Sequence, residues 1–169
     1  MGRRLKQREL LDLIDQTQDQ LEELRPHYPL PSADQDRETY LHQLAAGGLL
    51  RGRLYGLSEA AGAILHQRRW GPVSQARAHD ALMEASTRAW TEREAEQGQL
   101  RALARTYGYQ EQDLAAVTMR YTGQLDALQA VSKAIAGYPE QVRALPDLEH
   151  PERARTHPRS RDRDRGAGY

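Results

Sequence analysis

Apolar positions in this chain recur three and four residues apart, the spacing of one face of an α-helix, and the run from Leu44 to Leu65 carries two such faces at once. Leu50, Leu54, Leu57, Ala61 and Ile64 form a bulky stripe, while Gly48, Gly52, Gly56, Ala60 and Ala63 form a stripe of small residues roughly opposite it. A helix with a ridge on one side and a smooth groove on the other expects neighbours on both. Each interior glycine costs up to ~1 kcal/mol relative to alanine, so close packing against another helix is the physical reason to keep so many. Gly48, Gly52, Gly56 and Ala60 are therefore the expected packing or interaction face.

The same periodicity divides the rest of the chain. A first helix is expected from about Arg3 to Arg25, with Leu10, Ile14, Leu21 and Leu24 in a coiled-coil-like seam and polar Thr17 filling one of its positions. Pro26, Pro29 and Pro31 end it, because proline donates no backbone hydrogen bond and restricts the residue before it. Ser32 with Gln35, or Asp34 or Asp36 alone, can cap a second helix expected from about Ala33 to Arg69. Trp70, Gly71 and Pro72 break the pattern, and Ser74 is a candidate cap for the third helix.

That third helix carries Ala78, Leu82, Ala85 and Ala89, then Leu100, Leu103, Ala104 and Tyr107, separated by the polar stretch TEREAEQGQ, which reads as a solvated length of helix or as a break near Gly98. A fourth helix opens near Glu111 with Leu114, Val117, Tyr121, Leu125, Leu128 and Ile135 on one side, and Gly137 and Pro139 stop it. One short turn can follow over Glu140 to Leu145. From Pro146 the chain is dense in charge and proline and nearly free of apolar residues, so a bundle domain over 1–145 and a disordered charged tail over 146–169 are expected.

Composition sharpens this picture. Phe is absent from the 169 residues, and Ala, Leu, Gln, Glu and Arg outnumber β-branched residues, which favours helix over strand. Hydrophobic residues make up 38% and charged residues 28%, a balance that suits long helices wet along one side. With no Cys, the chain has no disulfide, thiol nucleophile or zinc-thiolate site. A net charge of +0 leaves the whole molecule no general attraction for nucleic acid or anionic lipid. Arg51, Arg53 and Glu59 sit inside the most apolar stretch and argue against a membrane span; no secretory signal is visible, and a cytoplasmic location follows as the default.

Leu100 to Arg120 resembles a helix-turn-helix element, with Leu103 and Ala104 on a first helix, Gly108 at the turn, and Leu114 and Val117 packing a second helix back. The resemblance implies a helix for the DNA major groove, with Arg105, Gln110, Gln112 and Arg120 as the DNA contacts. Glu111 at the reading face and the few nearby basic groups fit that role poorly, since phosphate contacts dominate affinity. A corner in a helical bundle needs the same small residue, glycine and leucines. Trp70-Gly71, with Tyr107 and Glu111 and with Tyr109 and Asp113, resembles the secreted helical hairpins of the WXG type; the Trp-x-Gly tripeptide is missing and the chain runs on into another amphipathic helix, which leaves coincidence as the reading.

The six histidines are scattered, with neither a His-Glu-x-x-His nor a Glu-x-x-His pair, and no glycine-rich phosphate loop occurs. No serine stands in a nucleophile-elbow context. Neither a cofactor nor a catalytic residue is expected. The sequence reads as an all-α, elongated, up-down antiparallel bundle of about four helices, non-enzymatic, acting through protein–protein contact and self-association; DNA binding through residues 100–120 is the alternative.

Overall fold

A computed structural model describes residues 3–108 and 111–149, with the backbone alone at 111 and 112. Over these residues the protein is a helical bundle, and among them there is no strand. The elements are α1 (Gln7–Leu24), a 3-10 turn (Arg25–His27), α2 (Arg37–Leu65), α3 (Pro72–Tyr107), α4 (Glu111–Val117), α5 (Met119–Ile135) and α6 (Glu140–Ala144). Among the described residues, no helix is long and apolar enough to cross a membrane.

Local chemistry accounts for the helix ends. Glu9 reaches back to the Lys6 amide at 2.9 Å to close the start of α1, and Arg3 pairs with the same carboxylate at 2.6 Å, which draws the basic leader onto the helix. Asp36 caps α2 through the Thr39 amide at 3.0 Å; Ser32 and Gln35 instead bond each other in the turn before it. Gln7 donates to the carbonyls of both Ile64 and Gln67 at 2.8 Å, so α1 satisfies the open C-terminal end of α2. Gly108, at φ 76°, ends α3 in the left-handed conformation.

The polar stretch TEREAEQGQ continues α3 without a break, giving a 36-residue helix about 54 Å long at ~1.5 Å per residue. The expected fourth helix is two. Thr118 donates its hydroxyl to the Leu114 carbonyl at 2.8 Å, and the Tyr121 amide bonds Thr118 rather than the residue before it, so the ladder slips between α4 and α5. Past α5, the Tyr138 amide reaches the Lys133 carbonyl and the Gly137 amide reaches Ala134, the paired bonds of a Schellman stop.

One core joins α1, α2, α3, α5 and α6. Leu10, Ile14 and Leu21 meet Leu50, Leu57 and Ile64, with Leu82, Leu128, Val131, Val142 and Leu145 closing the cluster. Thr17 is buried among them, its hydroxyl turned back to the Leu13 carbonyl at 2.7 Å, so the polar gap in the α1 seam costs no unmet hydrogen bond. The chain beyond 145 is still part of this body: Leu148 packs against the cluster. The charged tail, expected to be disordered, lies from residue 150 on outside the described residues.

The closest helix pair is α2 with α5, and α3, although it follows α2, rests chiefly on α5. Glycines make the α2–α5 contact possible. A Cβ at Gly52 would overlap the Arg120 carbonyl oxygen and stand 2.7 Å from its carbon; one at Gly56 would lie 2.6 Å from the Gln124 carbonyl and 2.8 Å from the Ala127 methyl. The contact is reciprocal, since a Cβ at Gly123 of α5 would overlap the Leu49 carbonyl and lie 2.8 Å from the Arg53 amide. The main chains thus touch with no side chain between them.

The same crossing buries a charge. Arg53 is fully enclosed, its guanidinium paired with Asp126 of α5 at 3.1 Å and donating to the Leu145 carbonyl at 2.6 Å and the Asp147 carbonyl at 3.3 Å. It therefore ties α2, α5 and the end of α6 together.

Candidate interaction groove

Among the described residues, an open groove runs between α3 and α5, with a volume of about 490 Å³. Its α3 wall is His79, Met83, Ser86, Trp90 and Arg93, and its α5 wall is Thr122, Leu125, Gln129 and Ser132, with Asp126 and Lys133 lining it beside them. Both walls alternate steps of three and four, so each is a seam turned to the same side. Leu82 and Leu128 are buried and form the floor. Met83 is 51% exposed and Trp90 52% exposed, which is high for the two largest apolar side chains of the groove.

Polar contacts fix the antiparallel alignment of the walls. His79 Nδ1 and Ser132 Oγ are hydrogen-bonded at 2.6 Å at one end. At the other, Gln97 donates to the Thr118 hydroxyl at 3.3 Å, and Arg120 pairs with Glu96 at 2.8 Å. The Arg93 guanidinium lies over the Trp90 ring, 5.2 Å from its centroid, and holds the indole against the helix. The His–Ser contact has the reach of a nucleophile–base pair, but Ser132 lies inside α5, where the surrounding main-chain N–H groups are committed to the helix and offer no oxyanion donors. In this setting the pair sets the level of one helix against the other.

The residues singled out from sequence fall in two places. Gly48, Gly52 and Gly56 face α5 of the same chain, and Ala60 is fully buried in the core. The small-residue face at Gly48, Gly52, Gly56 and Ala60 is thus occupied within one molecule. In the helix-turn-helix-like segment, α4 leans chiefly on α2, clamped by Arg37 to Asp113 at 2.7 Å, with little contact to α3.

Arg120 is bound to Glu96, accepted by the Tyr121 hydroxyl at 3.1 Å and stacked 4.8 Å from the Tyr121 ring centroid. Burial pushes the Glu96 carboxyl up, but bonds from Tyr121 and Arg120 outweigh it and hold the group below its ordinary value. Burial, followed by the bond to Glu96, raises the Tyr121 hydroxyl. Arg120 is thereby neutralised at close range. Arg105 is exposed on the last turn of α3; Gln110 and the Gln112 side chain lie outside the described residues.

The groove was missed in the sequence because Leu82 and Ala89 draw the eye to the core face of α3. Its signal is present one step around the helix, at 79, 83, 86, 90 and 93. No known protein family, curated protein or solved structure matches the chain.

Proposed function

We propose that this protein is a non-enzymatic helical-bundle protein that acts through protein–protein contact, associating with itself across the α3–α5 groove. The observation that carries the reading is the pair of seams flanking half-exposed Met83 and Trp90. Two antiparallel helices with facing three-four seams form the recess into which further helices pack. Fully burying a Met-sized side chain is worth roughly 1.5–3 kcal/mol, and a tryptophan held in a groove is the residue type that dominates interface energies. Arg93 already orients the indole, so little side-chain freedom remains to be lost on docking. A cytoplasmic location belongs to the same proposal and is tested by cell fractionation.

The test is sedimentation equilibrium on the wild type, Met83→Glu and Tyr55→Glu, the last replacing a large side chain that is at least as exposed but lies on α2 away from the groove. Association that is lost in Met83→Glu and kept in Tyr55→Glu supports the reading. Association that survives Met83→Glu refutes it.

A further inference from the structure

We infer that the occupant of the groove is a second copy of this chain, related by a two-fold axis parallel to the helices, so that α3 of each copy packs on α5 of the other and an antiparallel four-helix bundle is completed. The inference rests on the self-association reading above and adds the arrangement. Its first support is the level of the helices. His79 and Ser132 are hydrogen-bonded at 2.6 Å and so stand at one height. An axis parallel to the helices preserves heights, so Lys133 of the partner subunit comes level with Asp80.

Asp80 is exposed beside the α3 wall, one residue on from His79, and half-buried Lys133 lines the edge of the α5 wall, one residue on from Ser132. Opposite charges therefore meet, and the symmetry makes the pair twice. Counting from the same level at equal rise, Trp90 faces Thr122 of the partner subunit and Ser86 faces Leu125 of the partner subunit. Large meets small at both heights, the condition for interdigitation without voids. Every neighbouring pair of helices runs antiparallel, which suits their dipoles.

The other simple two-fold places α3 antiparallel on α3, centred on Ser86. That arrangement leaves Asp80 and Lys133 unpaired with each other, whereas the axis parallel to the helices pairs them twice. Electrostatics therefore selects the axis parallel to the helices.

A charge exchange tests the arrangement. Asp80→Lys and Lys133→Asp, each alone, turn two attractive pairs into two repulsive ones and are expected to weaken dimerisation about tenfold or more by sedimentation equilibrium, with helicity by circular dichroism unchanged. The double variant restores each pair with reversed sign and is expected within about threefold of wild type. If association depends on Met83 but the double variant is no tighter than the singles, the arrangement is overturned while the groove reading stands. Association indifferent to Met83→Glu, or a wild type that stays monomeric, overturns both. In this cysteine-free chain, Ser86→Cys alone gives a second readout: a disulfide-linked dimer under oxidation would place α3 on α3 and overturn the inference, whereas a chain that remains unlinked while associated supports it.

Discussion

Replacing Gly52 by alanine adds one methyl group, and the structure says where it goes. The new Cβ would overlap the Arg120 carbonyl oxygen and lie 2.7 Å from its carbon and 2.9 Å from the Gln124 nitrogen, all main-chain atoms of α5 that cannot rotate aside. Restoring the carbon to the 3.4 Å of an ordinary contact needs about 0.7 Å of extra separation between the helices, and the oxygen needs more. A gap of that size forfeits roughly a quarter to a half of each dispersion contact along the interface. Overpacking of this kind costs about 3 kcal/mol or somewhat more, against an offset of about 1 kcal/mol from the better helix propensity of alanine, for a net loss of about 2–3 kcal/mol.

Gly62 is the internal control, because it is in the same helix and a Cβ there meets nothing within 4 Å. Gly62→Ala is expected to stabilise by about 0.5–1 kcal/mol. Urea unfolding followed by circular dichroism at 222 nm measures both. The midpoint should fall for Gly52→Ala and rise for Gly62→Ala at similar m-values, a spread of about 3 kcal/mol. If Gly52→Ala raises the midpoint as Gly62→Ala does, the helices do not touch main chain to main chain and the account of α2 is wrong.

Other consequences are open to measurement. Arg53→Met leaves Asp126 buried and removes a donor from the Leu145 and Asp147 carbonyls; it should cost about 3–5 kcal/mol in urea unfolding and speed amide hydrogen exchange over residues 145–149, and an unchanged exchange rate there would show that Arg53 does not hold this segment. Asp36 is held below the ordinary carboxylate range by the Thr39 hydroxyl and then the Thr39 amide, and Glu96 is also low, because bonds from Tyr121 and Arg120 outweigh its burial. A lowered folded value means stability that is fully present above the ordinary carboxylate range of about 4–4.5 and lost as pH falls through the lowered folded value, so thermal midpoints should hold at neutral pH and fall on acidification. Asp36→Asn and Glu96→Gln should each flatten that fall, and parallel curves for wild type and variants would count against both contacts.

Much of the fold was legible because helical periodicity and breakers are local signals. The α1 seam, the proline stop after it, the Gly71-Pro72 start of α3 and the Gly137 stop of α5 can each be read within a few residues. The glycine stripe of α2 announced a close neighbour without saying which, because the complementary Gly123 lies about seventy residues on and carries no periodic partner of its own. Arg53 was legible as a charge in an apolar run, yet its burial depends on Asp126 and on carbonyls beyond α6, which only tertiary structure brings together.

The α4–α5 joint at Thr118 escaped notice for a different reason: threonine inside a helical pattern is ordinary until its hydroxyl bonds back to the preceding turn. The groove lay half in view. Trp90 stands beside the core face of α3 in sequence, but whether α2, α5 or solvent covers it depends on α3 resting on α5 rather than on the helix before it.

The claim that the groove is where copies of this chain meet is tested most directly by Trp90 itself. Trp70→Phe leaves Trp90 as the sole tryptophan, and its emission maximum can be followed from nanomolar to high micromolar protein. Burial of the indole in a second copy predicts a shift to shorter wavelength with rising concentration, tracking the mass measured by sedimentation and absent in Met83→Glu. An emission maximum that stays at the long-wavelength, solvent-exposed value while the mass rises would place the association elsewhere on the molecule and contradict the account.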